Sequence, residues 1–521
     1  MKKILLASLA VMLGWGGSAF AQTEADALRY SQLGVAGSAR TQGMGGAQTA
    51  LGADVSNLFG NPAGIGMFRR SEFSLTPGLQ YSSSDARADN GALQSDERNI
   101  LSIPHAGLIL SNRKGDDDAS DWRGLNFGIS LTRLNNFNQR ISYSNTSVPP
   151  NTIVDYFADR ANNRVLEAGR TLEQSLNAEF GNEVSIEGLA YSNYLIDILE
   201  DEQGQYAAAL YSLGDIAQSE EIQRRGSQNQ IDFGVGTSYR DKIYVGASIG
   251  IVTTNLTQES IFRESGAYIA SFDENNNPNI EGNYSLELYD DFTTRGTGVN
   301  LKVGIIARPI DALRIGASIQ TPTAYTLTDT YQRTLASTTL HPETGAPENI
   351  SASETPGEFS YRLTTPFRAS GGAAFFIGKY GFITGDVEFV DYAGNRFSED
   401  TEFGSGTSSY FSNLNSRISD TYQSAVNFKL GAEGRYDVFR FRAGYAHSGD
   451  PYKSAALDGA VRSVSVGAGV RVQNYYLDLA FVSSKSDTRY SPYQFSSDGG
   501  EPVVEISNKQ NSALLTVGYN F

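Results

Sequence analysis

Strict two-residue alternation, repeated along most of its length, constrains this chain more than any other feature. Near residue 464, Val464, Val466, Ala468, Val470 and Val472 fall on one side, and Ser465, Gly467, Gly469 and Arg471 on the other. Phe439, Phe441, Ala443 and Tyr445 likewise oppose Arg440, Arg442 and Gly444. Ile243, Val245, Ala247, Ile249 and Ile251 repeat the pattern, as do Leu313, Ile315, Ala317 and Ile319. Successive side chains of a strand point to opposite faces, so each segment is a strand with one apolar and one polar surface. The alternation divides residues 71–521 into about fourteen strands, among them 71–83, 122–137, 227–240, 312–330, 355–376, 418–434 and 504–521.

A soluble sandwich would turn the apolar face inward, whereas a membrane barrel turns it to lipid and lines its lumen with polar groups. Strand length, often about 10–14 residues, suits a tilted crossing. One set of connections is very short, as at Arg240-Asp241, Gly378-Lys379 and Gln473-Asn474, and the other is long and polar. The chain ends "SALLTVGYNF", alternating to Tyr519 and a terminal Phe521, which resembles the carboxy-terminal signal read by the bacterial barrel-assembly machinery. The sequence therefore predicts an all-β fold, a transmembrane antiparallel barrel of about fourteen strands over residues 71–521.

The start of the chain directs export. Residues 1–21, "MKKILLASLAVMLGWGGSAFA", carry two lysines, an apolar run and an Ala19-Phe20-Ala21 cleavage site, so they read as a signal peptide. No later window is apolar for the roughly 18 residues that a spanning helix requires, which leaves a barrel as the way to cross a bilayer. There is no cysteine, hence no disulfide framework. A net charge of −17 argues against a nucleic-acid partner.

Residues 138–226 break the strand pattern and read as an extracellular, partly helical insertion, with Leu166, Leu172, Leu176, Leu195, Ile198 and Leu199 at helical spacing. The three histidines, His105, His341 and His447, are scattered and suggest no catalytic triad. The Asp116-Asp117-Asp118 run reads as a solvated cluster, and "DENNNPN" from Asp273 lacks the EF-hand spacing. No enzyme activity, metal or cofactor is expected.

Residues 38–66, "SARTQGMGGAQTALGADVSNLFGNPAGIG", are too rich in glycine for a helix and alternate too little for a strand. Gly45 and Gly46 permit tight turns, Pro62 fixes its own φ and restricts Asn61, and the Asn61 amide can satisfy backbone groups. Ala39-Arg40, Gly43-Met44-Gly45-Gly46-Ala47, Asp54 and Asn61-Pro62-Ala63-Gly64 resemble the amino-terminal hatch of the FadL/TodX family of outer-membrane transporters of hydrophobic compounds. "FRAGYAHSGDPY", Phe441 to Tyr452, and the last strand are also similar to that family. The Bacteroidetes-type branch, often labelled haemin receptors or outer-membrane transport proteins, is the nearest in appearance, although no His or Tyr-His pair argues for haem.

The resemblance implies a hatch over residues 22–70 that fills the lumen, with Gly45, Gly46, Asn61, Pro62 and Ala63 as its motif. It implies passive capture of a hydrophobic or amphipathic small molecule and its sideways release into outer-membrane lipid beside a kinked early strand. In the third strand Gly124, Gly128 and Asn135-Asn136 are the candidate kink positions. The inward faces carry Arg314, Asp386, Glu388, Lys429, Arg440 and Arg442, which would suit an anionic head, and Arg442 and Arg471 are the candidate contacts for it. A monomer is expected. Two rival readings are a non-transporting scaffold, as a secretion or gliding partner, and a general diffusion porin.

Overall fold

The computed structural model describes residues 23–521 apart from 90, 116–117, 119, 146–151, 167–168, 182, 203, 210–215, 273–277, 341–345, 401–407, 456 and 497–501. The signal segment, His341 and most of "DENNNPN" lie outside the described residues.

The described strands form a closed antiparallel barrel of fourteen staves. They are β1 (Glu72–Ala88), β2 (Gln94–Arg113), β3 (Trp122–Asn136, resumed at Gln139–Asn145), β4 (Ala217–Tyr239) and β5 (Ile243–Phe272). β6 (Pro278–Ile310) is followed by β7 (Leu313–Gln320 and Ala324–Leu340) and by β8 (Pro347–Ser353, Gly357–Thr364 and Arg368–Ile377). β9 (Gly381–Asp391, then Arg396–Glu399), β10 (Ser424–Tyr436), β11 (Phe439–Ser448), β12 (Val461–Val472), β13 (Tyr475–Tyr490) and β14 (Val504–Asn520) complete it. Closure comes from β1, which pairs with β2 on one edge and with β14 on the other, as at Leu75↔Val517.

The alternation sets which way each face turns. Val464 and Val466 are more than half exposed on the outside, while Ser463 and Ser465 are buried inside. Leaving such a belt in water would forfeit about 1.5–3 kcal/mol for each large apolar side chain. On β5 the outward belt runs from Ile243 to Ile251. At about 3.3 Å per residue and a tilt of ~40°, such a run covers roughly 23 Å, close to the ~25 Å apolar band of a membrane barrel. Among the described residues no helix is long and apolar enough to cross a membrane.

The short connections gather at one rim. Arg240 and Asp241 both have positive φ, 52° each, the geometry of a two-residue hairpin turn that follows the twist of its strands. At the opposite, long-loop rim the staves run past the belt. β4 begins at Ala217 rather than near 227, and β5 extends to Phe272. Pro322 and Pro366 lack an N–H and interrupt β7 and β8 side by side. The break is bridged where Thr365 N–H donates to the Thr323 carbonyl (3.0 Å) and Thr323 N–H to Thr365 Oγ1 (3.1 Å).

Six helices accompany the strands among the described residues: α1 (Glu24–Ser31), α2 (Ala39–Gln42), α3 (Ile153–Asn162), α4 (Leu172–Asn177), α5 (Ile186–Ser192) and α6 (Ser408–Thr421). The strand expected over 418–434 starts only at Ser424, because Phe411, Leu414, Ile418 and Tyr422 form one buried helical stripe that reaches back through α6.

The insertion is shorter than residues 138–226, since its flanks belong to β3 and β4. Thr152 caps α3: its Oγ1 accepts from Asp155 N (3.2 Å) and its own N–H donates to the Asp155 carboxylate (2.8 Å). Helices α3–α5 bury Phe157, Leu176 and Leu189 against Phe262, Tyr284 and Leu335 of the extended wall. Leu166 lies outside the helices and is exposed, and Ile198 and Leu199 stand in a small hairpin, Ile196–Asp201 with Gly204–Ala209, not in a helix. Their spacing fits both periods, and Gly204, at φ 122°, permits the turn that selects the hairpin.

A plugged lumen and an unpaired stretch of wall

Residues 23–70 run down the inside of the barrel before β1 begins. Helix α1 fills the long-loop end, where Ala27, Leu28 and Tyr30 pack among Tyr361, Phe397, Leu414 and Tyr422. The Tyr422 hydroxyl donates to the Glu24 carbonyl (3.0 Å), which holds α1 beneath α6. Below it, α2 and two short 3₁₀ turns, Val55–Leu58 and Pro62–Met67, form a compact plug toward the short-turn rim.

Asn61 is fully buried at the junction of two plug turns and the wall. Its Oδ1 accepts from Ala63 N (3.1 Å), which caps the turn that Pro62 opens. Its Nδ2 lies within donating distance of the carbonyls of Thr49 (2.7 Å), Ile305 (3.2 Å) and Ala317 (3.3 Å). Ala63 is buried against Tyr244 and Ile306. Gly45, at φ 66°, lies so close to the backbone of Tyr445 that a side chain would collide with it, and its N–H donates to Ser465 Oγ (3.0 Å). Gly46, at φ 77°, completes that turn beside Val35. Polar wall side chains hold the rest of the plug backbone. Asp386 Oδ2 accepts from Gln48 N (2.7 Å) and Thr49 N (2.8 Å), and Asn126 donates to the Ile65 (2.8 Å) and Phe68 (3.0 Å) carbonyls.

Buried charges reinforce the join. Arg40 of the plug lies between Asp54 (3.6 Å) and Glu433 of β10 (3.7 Å). Glu433 also receives Arg442 Nε (2.8 Å), and Arg442 reaches Asp478 (2.6 Å), with both of those side chains wholly excluded from solvent. Arg442 is thus neutralised inside the wall, its charge met by Glu433 and Asp478 rather than left for a ligand head. Arg471 is also displaced from that role: its guanidinium lies over the Tyr476 ring (4.8 Å to the centroid), near the short-turn rim and away from the lumen cavity.

That cavity, about 240 Å³, is bounded by Leu33–Val35 and by Gln48 and Phe59 of the plug. Lys302, Arg368, Glu388 and Lys429 face it from the wall. Arg368 is paired with Glu388 (3.1 Å), and Lys302 with Asp232 (3.5 Å), its ammonium above the Phe59 ring. On one side the cavity reaches Ser102 and Pro104 of β2 and Arg133–Asn136 of β3.

Those residues are the two edges of an unpaired stretch of wall. The β2–β3 ladder runs from Arg113↔Gly124 to His105↔Thr132 and stops there. Beyond it, residues 94–102 of β2 remain paired with β1 alone among the described ladders. β3 breaks at Phe137 and Asn138, and its resumed portion bends inward, burying Ile141 and Tyr143 against Ala86, Ala88, Val504 and Ile506. Gly226 of β4, at φ 125°, stands opposite the break, and its carbonyl accepts from Phe137 N (3.1 Å) and Asn138 Nδ2 (3.0 Å). A side chain at Gly226 would strike the Asn255 carbonyl. Of the candidate kink positions, Asn135-Asn136 adjoins the bend and Gly128 lies in the regular part of the ladder, while Gly124, at φ 155°, sits at a separate irregularity near the short-turn rim, where the β3–β4 register shifts between Trp122 and Leu125. Leu101 and Ile103 of the free β2 edge are exposed at belt height. On the long-loop side, Arg140 closes the stretch by pairing with Asp96 of β2 (3.4 Å) and Glu221 of β4 (2.7 Å).

The fold and site together define a transmembrane β-barrel with a lumen plug and a local break in its wall. The solved structure of a FadL homologue from Pseudomonas aeruginosa matches it with a TM-score of 0.54 at 13% identity, over 94% of this chain and 100% of that one. A variant of the TodX monoaromatic hydrocarbon channel matches with a TM-score of 0.50 at 13% identity, over 93% and 99%. No protein-family model and no curated protein sequence matches the chain. At these identities the likeness is one of fold.

Asn135 is among the candidate kink positions, but Arg140 and Gly226, which bound the break, carry no distinctive signal in the sequence. Gly226 stands alone in a polar run, and Arg140 looks like any solvated arginine.

Proposed function

We propose that the protein is an outer-membrane channel for passive uptake of hydrophobic small molecules. The long-loop rim faces outward, and the ligand passes through the lumen cavity and leaves sideways between β2 and β3. The observation that carries this reading is that one cavity touches the plug on one side and both edges of the unpaired wall, at belt height, on the other. Such a path needs no energy source, because an apolar molecule gains free energy on entering lipid. The fold shared with a FadL homologue and a hydrocarbon channel supports it.

The lining narrows the cargo. Arg133 has no carboxylate partner among the described residues; its Nε donates to Asn229 (3.2 Å) at the edge of the break. With Lys429 also facing the cavity, this favours an amphipathic ligand with an anionic end, such as a long-chain fatty acid, over a plain hydrocarbon. Uptake of radiolabelled oleate by a deletion strain tests the reading. Wild-type protein should restore uptake, and Ser102→Trp/Asn136→Trp, which fills the break from both edges, should reduce it at least tenfold in a barrel that still folds. Uptake equal to wild type in that variant would remove the lateral route.

A scaffold role is the alternative, favoured by Val165 and Phe180, which stand exposed on the helical cap. It predicts no oleate uptake by the wild-type protein and loss of function on Val165→Ser/Phe180→Ser.

A further inference from the structure

Three cations stand side by side on the outer face of the wall, where the belt ends on the long-loop side. Arg462 of β12 is the direct cross-strand partner of Lys485 of β13, and Lys485 is the partner of Lys509 of β14. All three share the outward face with the belt: Arg462 with Val464 and Val466, Lys485 with Leu479 and Phe481, Lys509 with Ala513 and Val517. Arg462 and Lys485 are each 64% exposed.

Like charges directly opposite one another on neighbouring strands are destabilising. Among the described residues the row is relieved only in part. Arg462 has Asp458 at 3.9 Å and Lys485 has Asp487 at 3.8 Å, both exposed pairs at the limit of contact. Lys509 has no hydrogen bond or ion pair among the described residues, and its other neighbour across the sheet is Ser83, an uncharged donor.

Height supplies the second observation. Val464 lies two residues from Arg462 along β12, and Phe481 four residues from Lys485 along β13. At about 3.3 Å per residue along the strand, the cationic groups stand roughly 7–13 Å beyond the last belt side chains. Headgroups occupy the ~5–8 Å outside each face of the hydrocarbon core, and strand tilt brings the row to that depth. A row of three cationic donors at headgroup height fits an oxyanion carried by the lipid itself.

We propose that Arg462, Lys485 and Lys509 bind the phosphate groups of lipid headgroups in the outward-facing leaflet. A phosphate has acceptor oxygens enough to bridge neighbouring cations, which turns their mutual repulsion into a shared contact. The inference rests on the membrane reading of the belt and is independent of transport.

Native mass spectrometry of the full chain in an uncharged detergent tests it. The probes are a bis-phosphorylated glycolipid (lipid A), the same lipid with its phosphates removed, and inorganic phosphate as competitor. Arg462→Gln/Lys485→Gln/Lys509→Gln should lower binding of the phosphorylated lipid about tenfold and leave that of the dephosphorylated lipid unchanged. A charge-matched control at the short-turn rim, Lys114→Gln/Lys242→Gln/Lys379→Gln, should bind as wild type does. Equal binding of the two lipids by the wild type, or unchanged binding by the triple variant, would overturn the proposal. Full displacement of the lipid by millimolar phosphate would reassign the row to a free anion. Folding is read from heat-modifiable mobility; if the triple variant fails to fold, Lys509→Gln alone should cost about threefold.

Discussion

The side-chain amide of Asn135 donates to the main-chain carbonyl of Gln32 at 3.0 Å. This contact joins the bend in β3 to the segment that leads from α1 into the plug. The same amide lies 3.1 Å from Gln228 Oε1 of β4, and Gln228 in turn donates to the Tyr30 carbonyl (3.3 Å). The break in the wall and the upper plug are therefore parts of one hydrogen-bonded unit, and what loosens one loosens the other.

Asn135→Ala should expose this coupling. Losing this partly buried donor should cost about 1 kcal/mol, the low end of the penalty for a partner left unsatisfied. Amides of α1 and residues 32–35 should exchange with deuterium several-fold faster, while those of the β10–β13 wall stay protected. Unchanged exchange in α1 would uncouple the two regions.

Asn61→Ala should loosen the lower plug. It removes the cap on Ala63 and the donor shared by Thr49, Ile305 and Ala317. The expected loss is about 1–3 kcal/mol, concentrated in the plug because the barrel ladder is untouched. Planar-bilayer conductance, low for the wild type, should then show intermittent openings. Deleting residues 22–66 should give a stable open pore.

Arg442 separates a structural from a ligand role. Asp478→Asn leaves the buried guanidinium with one carboxylate, and breaking a buried pair in this way costs about 3–5 kcal/mol. Thermal unfolding should fall well below that of the wild type. Oleate affinity of the folded fraction should not change, and a selective loss of affinity at full stability would return Arg442 to the ligand.

Arg140 fastens the long-loop end of the break to Asp96 and Glu221 across half-exposed contacts. Such pairs contribute about 0–1 kcal/mol, so Arg140→Gln should leave stability nearly unchanged. Removing the clasp should raise oleate uptake, by about two- to fivefold if the opening limits the rate. A fall in uptake in a fully folded variant would argue that Arg140 guides the ligand instead.

The belt was legible because lipid outside and polar groups inside impose opposite demands on alternate residues, as at Val464 and Ser465. Where the staves leave the belt, neither face must be apolar, and the alternation fades. That is why β4 looked as if it began near 227 rather than at Ala217. The end of α6 reads as strand in the sequence because the helical partners of Ile418 and Tyr422, Phe411 and Leu414, lie four to eleven residues back. The plug motif was readable from its glycines and the Asn61-Pro62 pair, whose geometry is local. Arg442 was not, since pairing across the sheet places it beside Glu433 and Asp478, residues remote in sequence. The inward bend of β3 depends likewise on Gly226, some ninety residues further along the chain.

Photo-crosslinking of the ligand in the membrane tests the lateral route most directly. A fatty acid bearing a photoreactive group near its tail, added to wild-type protein in bilayers and mapped by peptide mass spectrometry, should label residues 99–104 of β2 and 133–138 of β3 above all other belt positions. Labelling spread evenly around the belt, or confined to the plug at the short-turn rim, would contradict exit through this wall.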